Sequence, residues 1–146
     1  MKRISISARS SLAMALLAAP ALAGGTGWVT AYEQATKEGE KASLPIVVEF
    51  TRTDECDNCK ALDKAVFSRT ELRTWAKKNA VLFSADFSES KTQSAKVTEQ
   101  NAELKQRLAV EDLPTIVVLN AAGEEAGRLN YQGEKVAEWL AKVPPI

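Results

Sequence analysis

The chain has 146 residues, of which 45% are hydrophobic and 26% charged; it contains 19 basic residues, 19 acidic residues, two cysteines and no histidine. This length is enough for one domain with a single hydrophobic core. The balanced charge argues against a nucleic-acid or anionic-membrane partner, and two cysteines are too few to form a disulfide-stabilised scaffold.

The first 23 residues have the features of a signal peptide that is removed on export. Its basic residues are Lys2, Arg3 and Arg9. An apolar run follows from Leu12 to Ala19, and Ala21-Leu22-Ala23 fits the small-x-small pattern before a cleavage site. The apolar run is shorter than the roughly 20 residues that a membrane-spanning helix needs. We therefore expect an extracytoplasmic or periplasmic domain of residues 24–146, with a net charge of about −3 and no membrane insertion.

The mature sequence begins with alternating helix and strand patterns. Apolar or small residues at helical spacing predict an amphipathic helix from Trp28 to about Lys41. The short, β-branched run Ile46–Thr51 predicts a buried central strand, which a polar loop follows. A helix then begins at Cys56 and has one face that is expected to be buried. The residues of that face are Cys59, Leu62 and Val66.

This helix is expected to break at Phe67, where Ser68 can cap a second helix that extends to Asn79. The buried face of the second helix contains Leu72, Trp75 and Ala76. The remaining predicted elements are a strand from Ala80 to Phe87, a helix marked by Leu104 and Leu108, a strand from Thr115 to Leu119, a hairpin turn at residues 121–124, a shorter strand ending at Tyr131, and a helix from Glu134 that buries Val136, Trp139, Leu140 and Val143. The polar stretch Ser88–Thr98 has no clear period, which indicates a solvated loop or the frayed start of a helix.

The predicted order of elements is α-β-α-β-α-β-β-α. Alternating units favour parallel pairing of their strands, and the closing hairpin adds an antiparallel edge. The sequence therefore predicts an α/β fold with a central mixed β-sheet and helices on both faces. Trp28, Trp75 and Trp139 fall on core-facing helical positions, so we interpret them as packing residues.

Both cysteines lie in the stretch Glu55-Cys56-Asp57-Asn58-Cys59-Lys60, shortly after the first predicted strand. A strand that delivers a C-x-x-C pair onto the start of a helix is typical of a thiol redox motif. Residues three positions apart share a helix face, with Cβ atoms about 5–6 Å apart. The pair can therefore cycle between a dithiol and a disulfide after a small adjustment of the first turn.

Two other interpretations of the cysteine pair remain. A permanent structural disulfide would contribute little stability, because the loop that it closes is among the shortest possible. A metal site is disfavoured because two thiolates supply only half of a tetrahedral site and the chain has no histidine. We therefore expect no metal and no organic cofactor.

Three features of the chain resemble the thioredoxin superfamily, and the resemblance extends from about Trp28 to Val143. They are Val47-Val48-Glu49-Phe50 before the cysteine loop, Cys56-Asp57-Asn58-Cys59-Lys60, and Leu113-Pro114-Thr115 before a Val-rich strand. The longer run from Glu49 to Ser68 is similar to that of an exported bacterial thioredoxin-like subgroup. Members of this subgroup usually have an aromatic residue at the position of Glu55.

The resemblance implies a role for each matched residue. The first cysteine of the family motif is exposed and nucleophilic and the second is buried and resolving; these positions correspond to Cys56 and Cys59. Pro114 corresponds to a cis-proline opposite the cysteines, and Leu113 to the residue whose backbone pairs with an extended substrate segment. Glu49 lies where relatives have a buried Asp that accepts a proton, but here one extra residue separates it from the motif. The alternative for Glu49 is a strand-end carboxylate that reaches solvent or pairs with a lysine.

The charges around the motif predict the direction of the redox reaction. Three carboxylates lie close in sequence to the first cysteine: Asp54, Glu55 and Asp57. They disfavour a thiolate on Cys56, although the helix N-terminus favours it and Arg52 and Lys60 offset part of the negative charge. A destabilised thiolate means a relatively stabilised disulfide, which is a reducing poise.

The sequence therefore predicts an exported thiol–disulfide oxidoreductase that reduces or isomerises protein disulfides through a mixed-disulfide intermediate. A redox partner would keep it reduced. The alternative is a thioredoxin-fold binding or chaperone module with an inert disulfide, since Glu55 and Asp57 replace residues that are uncharged in many active relatives. A copper-delivery role is disfavoured by the lack of histidine and by methionines at positions 1 and 14 only.

Overall fold

The computed structural model describes residues 27–146, so the signal-peptide prediction for residues 1–23 lies outside the described part of the chain. The elements in chain order are β1 (Trp28–Val29), α1 (Tyr32–Ala42), β2 (Ile46–Thr51), α2 (Asp57–Leu62), α3 (Thr70–Asn79), β3 (Val81–Asp86), α4 (Ala95–Arg107), β4 (Thr115–Leu119), β5 (Glu125–Asn130) and α5 (Val136–Lys142). A π-helical turn, Asp63–Phe67, continues α2. Within these residues no helix is both long and apolar enough to cross a bilayer.

Five strands form one sheet in the order β1-β3-β2-β4-β5. β3 pairs in parallel with β1 and β2, whereas β4 pairs antiparallel with β2 and with β5. The mixed sheet is confirmed, but the parallel orientation expected for β4 is wrong. Thr115 pairs with Phe50, so the chain re-enters the sheet at the end where β2 finishes and must run in the opposite direction.

Helices cover both faces of the sheet, as predicted. β2 is the central strand and all six of its residues are buried. Val48 and Phe50 belong to a core layer with residues of α1 and α4. Val47 belongs to a second layer with residues of α2, the π-helical turn, α3 and α5. Alternate side chains of one strand therefore hold the two layers together, because successive strand residues point to opposite faces.

Trp28 corrects the predicted start of the first helix. It lies in β1, opposite Leu82 of β3, and α1 begins only at Tyr32. A strand of two residues has no period that a sequence pattern can reveal. Trp28 is nevertheless a core residue, as predicted, because its ring packs edge-on against Phe67 with centroids 4.9 Å apart. Phe67 in turn packs against Trp139 at 5.3 Å.

Two other helix starts differ from the prediction. Ser68 does not cap α3, because its hydroxyl donates a hydrogen bond to the Asp63 carboxylate at 2.9 Å and α3 begins after Arg69. The α4 helix begins inside the polar stretch that we interpreted as loop or frayed helix. Ser94 is its N-cap and accepts a hydrogen bond from the backbone N–H of Val97 at 3.3 Å.

Several residues assigned to buried helix faces are only half-buried. These are Trp75 on α3 and Val136, Leu140 and Val143 at α5, all of which pack against the second core layer. Trp139 is the residue of α5 that is fully enclosed, with 1% of its surface exposed.

Candidate active site

Cys56 organises the start of α2. It is the N-cap residue, and its backbone N–H donates to the carbonyl of Arg52 at 3.1 Å, which closes the loop between β2 and α2. The backbone N–H of Lys60 donates to the Cys56 carbonyl at 3.1 Å, and that of Cys59 points at Cys56 Sγ at 3.1 Å. The sulfur therefore occupies the place of a capping oxygen at the first turn.

Cys56 and Cys59 form a disulfide, with Cα atoms 5.2 Å apart. The two residues have different surroundings, because Cys59 is fully buried whereas Cys56 is partly exposed. Cys59 and Leu62 are the buried residues of α2. The structure thus provides one sulfur that a second molecule can approach from solvent and one that it cannot.

Leu113 and Pro114 lie directly opposite this disulfide. The peptide bond between them is cis, the form that the resemblance implies. The Leu113 carbonyl oxygen lies 3.7 Å from Cys56 Sγ, although the two residues are 57 positions apart in the chain. Thr115 donates a hydrogen bond from its hydroxyl to the Asp112 carbonyl at 2.7 Å and so fixes the turn into β4. The antiparallel entry of β4 beside β2 is what brings these groups together.

Glu49 lies on β2 and is buried, with 6% of its surface exposed. A carboxylate that reaches solvent, one of the two forms of the alternative for Glu49, is therefore wrong. The Ser84 hydroxyl donates to Glu49 Oε2 at 3.4 Å. Burial raises the pKa of Glu49 to about 8, and the carboxylates of Asp63 and Asp86 add to this shift. The carboxyl group consequently carries a proton at neutral pH.

Glu49 also lines a cavity of about 380 Å³, together with Asp63, Thr51 and the rings of Trp28 and Phe67. Among residues 27–146, its side-chain hydrogen bond is to Ser84 and not to either cysteine. The cavity therefore places the carboxyl group beside a space that both polar and aromatic side chains line.

The cations that we expected to offset the negative charge near Cys56 are paired with those same carboxylates. Arg52 Nη2 lies 3.1 Å from Glu55 Oε2, and Arg52 Nε lies 3.6 Å from Asp54 Oδ1. Lys60 Nζ lies 3.8 Å from Asp57 Oδ1. Each carboxylate that precedes or separates the cysteines therefore has a neighbouring cation.

The 88–91 segment, Ser88–Lys91, follows β3 and contributes contacts to the site that we did not predict from the sequence. Ser88 is buried, and its hydroxyl accepts a hydrogen bond from the backbone N–H of Thr53 at 2.9 Å. The backbone N–H of Ser90 donates to Asp54 Oδ2 at 3.0 Å, and Lys91 Nζ donates to Thr53 Oγ1 at 3.0 Å. The segment is a loop whose residues 89–91 are exposed, as predicted, but Ser88 is buried and the segment is bonded to the loop that precedes Cys56.

The parallel register of β2 and β3 is the signal that would have located this segment. Thr51 pairs with Asp86, so both strands end at the same edge and the residues that follow them meet there. Asp86 supports the junction: burial opposes its ionisation, but hydrogen bonds from Lys91 and Ser88 hold its pKa below the usual value.

In the part of the chain that the structure describes, no group of three or more acidic, cysteine or histidine residues could hold a metal ion.

The sequence of this chain is similar to a known domain family and to two known proteins. The sequence model of the thioredoxin-like domain family matches residues 31–144. The disulfide bond reductase DsbH of Chlamydia pneumoniae is 24% identical over 124 residues, which cover 85% of this chain and 74% of DsbH. The thioredoxin-related protein DsbJ of the same organism is 24% identical over 113 residues, which cover 77% of this chain but only 32% of DsbJ.

A solved structure of the DsbH oxidoreductase superposes on this chain with a TM-score of 0.76. The superposition covers 91% of this chain and 92% of that one, at 23% sequence identity. The two chains therefore share the arrangement of strands and helices that positions the cysteine pair.

Proposed function

The chain belongs to the thioredoxin-like domain family, and from this membership we propose that it is an exported thiol–disulfide oxidoreductase that reduces or isomerises protein disulfides. The observation that carries the proposal is the pairing of a partly exposed Cys56 with a fully buried Cys59, next to the Leu113 carbonyl and the cis bond to Pro114. This arrangement supplies one sulfur for attack on a substrate and one for its release.

In the proposed reaction the reduced protein acts through a mixed disulfide. The Cys56 thiolate attacks one sulfur of a substrate disulfide, which releases the other substrate sulfur as a thiolate that takes up a proton. The Cys59 thiolate then attacks Cys56 Sγ, which restores the Cys56–Cys59 disulfide and releases the second substrate thiol. Two electrons pass from the protein to the substrate. A thiol partner must return two electrons before the next cycle.

We assign substrate positioning to Leu113 and Pro114. The Leu113 carbonyl faces Cys56 Sγ at 3.7 Å, so a peptide whose backbone N–H binds this carbonyl would present its own disulfide to the attacking sulfur. The cis bond turns this carbonyl toward the cysteines at the start of β4. Recognition through the backbone fits a protein that acts on varied protein disulfides, because every residue except proline offers the same N–H group.

Glu49 is assigned the proton transfer that accompanies the second step. Cys59 must lose its proton before it attacks, and a fully buried thiol cannot pass that proton directly to bulk water. With a pKa of about 8, Glu49 is protonated in most molecules at neutral pH, and its ionised fraction, which grows as the pH rises toward 8, accepts the proton of Cys59 in the range in which a thiol also titrates. The cavity beside it, whose lining includes Thr51 and Asp63, offers an exit for the proton.

Two observations support the reducing direction, and one supports the extracytoplasmic location. The carboxylates of Asp54, Glu55 and Asp57 outnumber the two cations beside them, so the local charge is negative and disfavours the thiolate of the attacking cysteine. The similar DsbH carries the name of a disulfide bond reductase. The sequence of residues 1–23 fits a cleaved signal peptide, after which residues 24–146 would form the exported domain.

The first test is to trap the mixed disulfide. In the Cys59→Ser variant, Cys56 can attack but cannot be released, so a covalent adduct with a reducible protein substrate should accumulate and dissolve on addition of dithiothreitol. Non-reducing electrophoresis and mass spectrometry measure the adduct. The matched Cys56→Ser variant should form none. If neither variant forms an adduct, the disulfide is inert and the chain is better described as a thioredoxin-fold binding module.

A further inference from the structure

Arg52 is connected to the attacking cysteine by its backbone and to three carboxylates by its side chain. Its carbonyl accepts the hydrogen bond of the Cys56 N–H at 3.1 Å. Its guanidinium lies 3.1 Å from Glu55 and within 3.6 Å of Asp54, both on the same loop. The third carboxylate, Glu89, comes from the 88–91 segment and lies 2.8 Å from Arg52 Nη2.

Glu89 is held at this position by its neighbours in the chain. Ser88 bonds to Thr53, and the N–H of Ser90 bonds to Asp54, so the backbone on both sides of Glu89 is attached to the loop that precedes Cys56. The Glu89 side chain itself is 81% exposed, whereas the Arg52 side chain is 31% exposed. Glu89 thus forms an ion pair with the partly buried guanidinium of Arg52. The same guanidinium also contacts Glu55, the residue directly before the attacking cysteine.

We propose that Arg52 and Glu89 are a pair of positioning residues with opposed effects on the reduction potential of the Cys56–Cys59 couple. Arg52 offsets the negative charge of Glu55 and Asp54 beside Cys56. Glu89 engages the same guanidinium and so weakens that compensation. The inference rests on the proposed function, because a potential has meaning only for a couple that exchanges.

The charges act on the reduced state alone. Reduction of the disulfide by two glutathione molecules transfers two electrons, forms two protein thiols and leaves one glutathione disulfide. The Cys56 thiol then ionises in part by releasing its proton to the buffer, and the resulting thiolate carries a negative charge that the disulfide lacks. A group that stabilises the thiolate lowers the pKa of the thiol and makes the couple more oxidising. Substitution of Arg52 or Glu89 leaves the other charged residues of the same region in place. These are Asp54, Glu55, Asp57, Lys60, Lys91 and Asp112.

The test compares Arg52→Gln with Glu89→Gln by equilibration against glutathione buffers at about pH 8, where a larger part of a thiol is ionised. Arg52→Gln should make the couple more reducing and raise the pKa of the Cys56 thiol. Glu89→Gln should make it more oxidising and lower that pKa. We expect a two- to threefold change in the equilibrium constant in each direction, which is about 9–14 mV at about 30 mV per tenfold change for two electrons.

Matched controls are provided by an ion pair at the start of α3, in which Arg69 Nη2 lies 3.4 Å from Glu71 Oε1 with both side chains 53% exposed. Arg69→Gln and Glu71→Gln should leave the potential at the wild-type value. Arg52→Lys keeps the charge and should stay closer to the wild type than Arg52→Gln. Both shifts should shrink in about 1 M salt, where the screening length is about 3 Å.

The two hypotheses can fail separately. If the wild-type couple exchanges with glutathione but Arg52→Gln and Glu89→Gln move the potential in the same direction, or no further than the α3 controls, the opposed-pair inference is overturned and the proposed function stands. If the wild-type disulfide does not exchange at all, the proposed function is overturned and the inference with it.

Discussion

Two glutamates are buried within residues 27–146, and their carboxyl groups ionise in opposite ways. Glu49 on β2 receives its hydrogen bond from a neutral hydroxyl, and burial raises its pKa to about 8. Glu134, just before α5, accepts hydrogen bonds from the Lys142 ammonium and from the Gln132 N–H, which lower its pKa to about 2.

The two glutamates differ in the cations and hydrogen-bond donors around their carboxyl groups, although both are buried. Both residues are more than nine-tenths buried, so burial alone does not decide their charge. Glu134 has a cation and a backbone donor, and it stays ionised as part of the entry into α5. Glu49 has neither and faces further carboxylates, so it retains its proton near neutral pH. A buried acid without a compensating cation is the kind of group that suits proton transfer, whereas Glu134 serves the structure.

The largest expected effect is on the pH dependence of stability. The folded-state pKa of Glu49 is raised, so its contribution to the free energy of unfolding is fully present below about pH 4.5 and is lost as the pH rises toward about 8. The loss should amount to roughly 3–5 kcal/mol across this range. Urea unfolding of the oxidised protein at several pH values measures it, because the disulfide-bonded cysteines do not titrate.

Glu49→Gln should flatten this pH profile, since the amide does not ionise. Glu134→Gln makes the same chemical change at the other buried carboxyl and should keep the loss of stability between pH 4.5 and 8. An unchanged profile in Glu49→Gln would mean that the carboxyl is ionised in the folded protein and that the contrast between the two residues is wrong.

The next effect is kinetic. Glu49→Gln should slow the second step of the proposed reaction by about a hundredfold, the lower end of what general acid–base catalysis contributes. The step is measured as release of the second thiol in a single turnover with a disulfide peptide at neutral pH. Glu134→Gln should release it at the wild-type rate. Wild-type release by the Glu49→Gln variant would contradict the proton-transfer assignment.

The smallest effect belongs to Glu134. Its folded-state pKa is lowered, so its contribution to stability is present above about pH 4.5 and is lost as the pH falls toward about 2. Because the Lys142 side chain is 46% exposed, solvent screens the pair and the contribution should be only about 1 kcal/mol. Lys142→Met should remove it at neutral pH in urea unfolding and leave thiol release unchanged. A loss of several kcal/mol would place the pair among the fully buried ones.

Much of the fold could be predicted from local pattern. The strands β2 and β4 were located with the correct bounds, because each is a short β-branched run that a proline precedes and a polar residue follows. The direction of β4 could not be predicted in the same way. It depends on where the loop after α4 returns the chain to the sheet, which no property of residues 115–119 reveals.

The residues of the candidate site divide along the same line. Cys56, Cys59, Leu113 and Pro114 were recognised because each pair lies within one short motif. Burial of Glu49 was anticipated only as something that the family resemblance implies. The contacts of the 88–91 segment were not predicted. Glu89 and Arg52 are 37 positions apart, and no motif or periodic pattern in the sequence around either residue indicates that they meet.

By itself, the sequence determined the chemistry that this protein carries: a cysteine pair at the start of a helix, an apolar strand before it and a proline before the last hairpin. The tertiary structure decided the environment of that chemistry. It brought the ends of β2 and β3 and the start of β4 to one edge of the sheet, which placed Leu113 and the 88–91 segment beside Cys56. Local sequence specifies which groups a residue brings, but charge compensation and burial depend on contacts between segments that only the folded chain brings together.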